Sequence, residues 1–156
     1  MVVDLRVTGA EDFRAVARAV KQAGDKDLRR ELYRGINRTV KPLTQDVKDQ
    51  MPRFLPDRYA GELAKSLRVK TRTRAGANPA VFLTATAKTK KGKPRDLRSL
   101  NRGRLRHPLF GNRREWFDQS VRKDWWTHPL LQGAPRVREE LVEVLRDIAR
   151  RIARHG

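Results

Sequence analysis

The stretch Leu67-Arg68-Val69-Lys70-Thr71-Arg72-Thr73-Arg74, then Ala75-Gly76-Ala77-Asn78-Pro79, then Ala80-Val81-Phe82-Leu83-Thr84-Ala85-Thr86-Ala87 decides the fold. Leu67, Val69, Thr71 and Thr73 alternate with Arg68, Lys70, Arg72 and Arg74, so an extended chain puts an apolar-leaning set on one face and cations on the other. Residues 75–79 are turn-rich, and Val81, Leu83, Ala85 and Ala87 resume the period of two. Two alternating runs around a turn signal predict a β-hairpin.

Upstream the period lengthens. Leu28, Leu32, Ile36, Val40, Leu43, Val47 and Met51 recur every three or four residues, the stripe of an amphipathic helix. Pro42 falls inside the stripe and removes a backbone donor, which predicts a kink or break near Arg38–Lys41. Pro52 and Pro56 close it, and Arg53–Glu62 reads as a connector. Nearer the start, Phe13, Val16, Ala17 and Val20 follow Thr8 and Glu11, which stand at capping-box spacing, and Gly24 is a natural stop. Val3, Leu5 and Val7 alternate with polar residues as in a short strand.

Downstream, Arg106–Phe110 and Glu115–Val121 flank Gly111-Asn112 and predict a second hairpin. Pro135 stands where a helix tolerates a missing amide donor, at its start. Val137, Leu141, Val144, Leu145, Ile148 and Ile152 then line one face, with Arg146, Arg150, Arg151 and Arg154 toward the negative pole of the dipole. The order strand, helix, helix, hairpin, loop, hairpin, helix predicts an α+β fold: a small antiparallel sheet against two or three helices, with a long amphipathic C-terminal helix. At 156 residues, 1–156 reads as a single domain.

Composition narrows the chemistry. There is no cysteine, which excludes disulfide scaffolds, cysteine-ligated metals and thiol catalysis. The apolar runs fall short of the ~20 residues of a membrane span. MVVDLRVTGAED lacks the order of a secretion signal, so a soluble, intracellular-type chain is expected. His107, His128 and His155 form no helical pair, and neither a phosphate-binding glycine loop nor a GxSxG turn is present. Ser120, Asp118, Asp124 and His128 are close in sequence, but triads are defined by geometry. The chain reads as a non-enzyme with no cofactor and no metal site.

The formal net charge is +19, from 37 basic and 18 acidic residues, which implies an anionic partner. Arginine outnumbers lysine 26 to 11, a bias that GC-rich coding also produces. Nine cations stand between Lys88 and Arg106: Lys88, Lys90, Lys91, Lys93, Arg95, Arg98, Arg102, Arg104 and Arg106, against Asp96 alone. With only Leu97, Leu100 and Leu105 as apolar members, this run reads as a mobile basic loop that is either merely solvated or touches DNA or acidic protein surfaces.

Five of the ten aromatics lie between Phe110 and Trp126: Phe110, Trp116, Phe117, Trp125 and Trp126. Rings of this size pack cores. If Trp125–Trp126 is extended, however, the two point to opposite faces and one is exposed, which suits a subunit interface. Base stacking is a further use of such rings.

Leu105 to Ile152, LRHPLFGNRREWFDQSVRKDWWTHPLLQGAPRVREELVEVLRDIARRI, resembles the tail-completion (neck) proteins of long-tailed double-stranded DNA phages. The likeness is to the gene-10-like family of lambdoid type, in its actinobacteriophage form. It is carried by Arg106-His107-Pro108-Leu109-Phe110-Gly111-Asn112, by Trp116 with Gln119, by Trp125-Trp126-Thr127-His128-Pro129, and by the closing helix. The earlier part is similar in element order only. Where the family commonly has Pro-Gly-Trp-Phe, this chain has Arg122-Lys123-Asp124-Trp125-Trp126. The resemblance implies a virion neck protein, assembled in the bacterial cytoplasm, with no catalytic residues. Its copies would form a homo-oligomeric ring of six between head-closure (connector) proteins and the tail-terminator or tail-tube end, with the genome passing through. The competing expectation, from charge alone, is a free nucleic-acid-binding protein without sequence specificity.

Overall fold

The computed structural model describes residues 2–5, 15, 18–22, 24–74, 80–109 and 112–155. The helix expected from Phe13 lies mostly outside these, although 18–22 are helical and Val20 is buried. The expected strand start is β1 (Val2–Leu5), and Val7 lies outside the described residues.

The long stripe forms α1 (Lys26–Gln50). Asp25 caps it, its carboxylate accepting from the amides of Asp27 at 2.7 Å and Leu28 at 3.3 Å. Leu28, Leu32, Ile36, Val40, Leu43 and Val47 are buried along one face, as their spacing requires. The expected break near Arg38–Lys41 does not occur: the helix runs through Pro42. Pro42 sits on the exposed face, where water reaches the carbonyl that loses its partner.

The supposed connector holds structure. A single 3₁₀ turn (Met51–Arg53) leads to α2 (Asp57–Ser66), whose Ala60 and Leu63 are buried. The first hairpin is β2 (Arg68–Arg74) and β3 (Ala80–Thr86), paired antiparallel with Val69 opposite Ala85 and Thr71 opposite Leu83. β1 adds to the other side of β3, so the sheet order is β1-β3-β2. Val81, Leu83 and Ala85 face the core, while Arg68, Lys70 and Arg72 stand in solvent.

After α3 (Leu97–Asn101), β4 (Arg104–Leu109) and β5 (Asn112–Ser120) form a separate two-stranded antiparallel ribbon. The chain closes with α4 (Thr127–His155), which starts at Thr127 rather than near Pro135, so the proline lies inside the helix. α4 runs antiparallel to α1. Gly35 meets Val144 and Gly133 meets Leu43 at two close approaches along the seam. Arg136 pairs with Asp46 at 3.2 Å, and Arg151 pairs with Glu31. The α+β class stands as expected. Its core is one contiguous apolar cluster shared by α1, α2, β3, α3 and α4. Among the described residues, no helix is long and apolar enough to cross a membrane.

Candidate functional site

The basic run, expected as a loop, carries regular structure: a bridged turn, the helix α3 and the start of β4. Lys88 bridges Pro94, the Thr89 amide donates to the Lys93 carbonyl at 2.8 Å, and the Gly92 amide donates to the Thr89 carbonyl at 2.9 Å. The Arg95 amide then donates to the Ala87 carbonyl at 2.9 Å, tying the turn to the end of β3. Asp96 caps α3: its carboxylate accepts from the Ser99 amide at 3.0 Å and the Ser99 hydroxyl at 2.8 Å. The Ser99 amide, then its hydroxyl, holds the Asp96 carboxyl below the usual carboxylate range. Leu97, Leu100 and Leu105 are all buried. Three leucines among nine cations suffice to anchor the segment because they insert into the core the rest of the chain has already made.

Trp125 and Trp126 require a second correction. Both are 0% exposed, so neither serves a subunit interface on this fold. The expectation assumed extended backbone, whereas here the chain turns. Asp124 has φ of 69°, and its amide donates to the Asn101 carbonyl at 2.8 Å. The Asn101 side chain then accepts from the Trp126 amide at 3.0 Å and the Thr127 amide at 3.4 Å, and donates to the Thr127 hydroxyl at 2.8 Å. Asn101 thus supplies from α3 the satisfaction that the first amides of α4 would otherwise lack. The turn aims both indoles inward, their centroids 5.8 Å apart and tilted by 54°.

Trp116 and Phe117 remain at the surface, each 52% exposed, at the middle of β5. Every residue of β5 is exposed. As neighbours on a strand the two rings take opposite faces. Phe117 packs edge-on against His107, its partner across the ribbon, with centroids 5.8 Å apart. Trp116 lies under the Arg106 guanidinium, 5.7 Å from the ring centroid, and its indole N–H donates to the Arg113 carbonyl at 3.0 Å. Phe110, the fifth expected interface ring, lies outside the described residues.

The structure sorts the nine cations into three sets. Lys93, Arg95, Arg104 and Arg106 line a cleft of about 450 Å³ together with Trp116 and Tyr59. Lys88 and Lys90 line a neighbouring, more open depression of about 520 Å³ with Glu62, and Arg95 borders both. Lys91, Arg98 and Arg102 are exposed and line neither. Arg95 is the most constrained: its side chain is 12% exposed, 3.7 Å from Glu62, with the guanidinium 5.0 Å from the Tyr59 ring centre. Tyr59 and Glu62 stand one turn apart on α2, in the segment read as a connector. The sequence signal for that helix was present in Pro56 followed by acidic Asp57, then Ala60 and Leu63.

The chain matches no known family model, no curated protein and no solved structure. Among the described residues, no group of His, Asp or Glu side chains is placed to hold a metal ion.

Proposed function

We propose that this chain is a structural subunit of a phage neck. Copies form a closed ring, six in the pattern of the family that Leu105–Ile152 resembles. The ring joins the head-closure complex to the tail-terminator or tail-tube end and lets the genome pass. On this reading the chain resides in the virion after assembly in the host cytoplasm, and it turns over no substrate.

Besides the resemblance, the observation that carries the reading is β5. It pairs with β4 on one edge, all nine of its residues are exposed, and Phe117 stands half open on the face turned toward His107. A two-stranded ribbon is marginal on its own, and an open edge bearing large rings is normally covered. A neighbouring copy supplies that cover. A ring is built from head-to-tail contacts, so β5 meets a different surface of the next subunit rather than another β5. With Trp125 and Trp126 in the core, the contact falls to Phe117 and the free edge beside it. The surplus of positive charge suits a subunit seated among anionic partners.

The test is deletion of the gene from the genome that encodes it, followed by negative-stain microscopy. The expected result is filled heads and finished tails that stay unattached, restored by the wild-type chain in trans but not by Phe117→Asp. Intact, infectious particles from the deletion would end the proposal.

A further inference from the structure

The ribbon's other face has a different use. We infer that the cleft between the Thr89–Asp96 segment, α3 and the ribbon binds single-stranded nucleic acid, one base stacking on Trp116 with the flanking phosphates on Lys93, Arg104 and Arg106. The inference does not depend on the neck reading, which concerns Phe117 and the strand edge.

Charge comes first. Four cations line the cleft against two carboxylates, Asp96 and Asp118. Asp96 is engaged in capping α3. Arg95 is engaged with Glu62 and Tyr59. Among the described residues, Lys93, Arg104 and Arg106 form no ion pair, and neither does Asp118, which faces Arg106 across the ribbon, so the unengaged charges of the cleft are three positive and one negative. Arg104 and Arg106 are two apart on β4 and share a face, which sets their guanidinium groups at a strand's spacing along one wall.

Shape and chemistry select the ligand. The indole of Trp116 is oriented before any ligand arrives, by its N–H bond to Arg113 and by Arg106 over the ring. Half of its surface nevertheless stays open. A fixed, flat ring beside unpaired cations matches a base joined to phosphates, and stacking of this kind is tolerant of sequence. A duplex keeps its bases stacked inside and offers the indole no ring face without unstacking. An acidic peptide satisfies the cations but leaves the ring without a planar partner.

The experiment measures anisotropy of a labelled thymidine strand of about ten nucleotides against the full chain, at several salt concentrations. Trp116→Ala is expected to weaken binding about tenfold. Arg104→Gln with Arg106→Gln is expected to weaken it and to flatten the salt slope by about 1.4, two phosphate contacts at ~0.7 each for a single strand. The charge-matched control, Arg98→Gln with Arg102→Gln outside the cleft, is expected to change affinity less than about twofold, and the annealed duplex to bind the wild type more weakly. Because all five side chains are exposed, thermal melts should overlay the wild type. Equal losses from the cleft pair and the control pair would mean diffuse attraction and overturn the assignment. So would a Trp116→Ala chain that binds as the wild type does. A glutamate-rich peptide that binds as tightly through the same residues would hand the cleft to an acidic protein instead.

Discussion

Replacing Gly35 with alanine sets two known effects against each other. In an open helix the change gains about 1 kcal/mol, because glycine is that much poorer than alanine in a helix interior. At this position an ideal Cβ would stand 2.5 Å from one γ-methyl of Val144, 3.2 Å from the other and 3.5 Å from its Cβ. Carbon atoms rest about 3.5–4.0 Å apart, so the nearest overlap is about 1 Å. Val144 is β-branched on a helix and cannot swing aside, since one χ1 rotamer dominates there. Relief therefore comes from moving α1 away from α4, which loosens contacts along the seam. Overpacking of this size costs about 1–3 kcal/mol. The net expectation is a loss of about 1 kcal/mol, read as a fall in Tm of about 2–4 °C for a chain of this length. Adding Val144→Ala removes both methyls, so the double variant should be more stable than Gly35→Ala alone. Denaturant titrations of the four proteins give the coupling directly. A Gly35→Ala chain that melts above the wild type, or a double variant with purely additive effects, would refute the close approach.

Asn101→Ala removes the side chain that serves Trp126 and Thr127, and should cost about 1–3 kcal/mol in a urea titration, since partly buried amides lose their partner. Trp126→Ala should cost about 3–5 kcal/mol, a core loss, and a surface-sized loss below about 0.5 kcal/mol would return the ring to an interface. Phe117→Asp, by contrast, should leave the urea midpoint of the isolated chain where it was while abolishing particle assembly. The folded-state pKa of Asp96 is depressed by its bonds to Ser99, so its contribution is present above the unfolded carboxylate value and is lost as pH falls through the lower folded one. Below about pH 4, Asp96→Asn should therefore show a shallower loss of urea midpoint than the wild type.

The periodic elements were legible because one physical cause, a buried face, writes itself into spacing. The α1 stripe and the β2–β3 hairpin follow from it directly, whereas the β4–β5 pair was read from the Gly111-Asn112 turn signal, since every residue of β5 is exposed. α2 escaped because only Ala60 and Leu63 are buried in its ten residues, too few to form a stripe beside Gly61. The basic segment misled because its leucines were counted and not spaced: Leu97 and Leu100 are one helical turn apart. Placement of Trp125 and Trp126 was beyond local reading. It depends on Asn101, 25 residues earlier, and on Asp124 taking a left-handed conformation. The candidate surface was half legible. Alternation along a strand puts Trp116 and Phe117 on opposite sides, but which side carries Arg104 and Arg106 is set by the register of the ribbon, and which side meets Lys93 by how the ribbon leaves the body.

That departure point has a mechanical consequence. The Gly103 amide donates to the Leu100 carbonyl at 3.0 Å and its carbonyl accepts from Val121 at 2.9 Å, so both legs of the ribbon emerge from one root. Gly103 has φ of 89°, and a Cβ there would stand 2.8 Å from the Val121 carbonyl oxygen, which fixes the residue as glycine. Immediately behind the root, Asn101 grips the start of α4. A pull on the ribbon is thus a pull on α4, the longest element of the body. The ribbon acts as a handle on a rigid shaft, and the first bonds to yield under load should be those of Asn101.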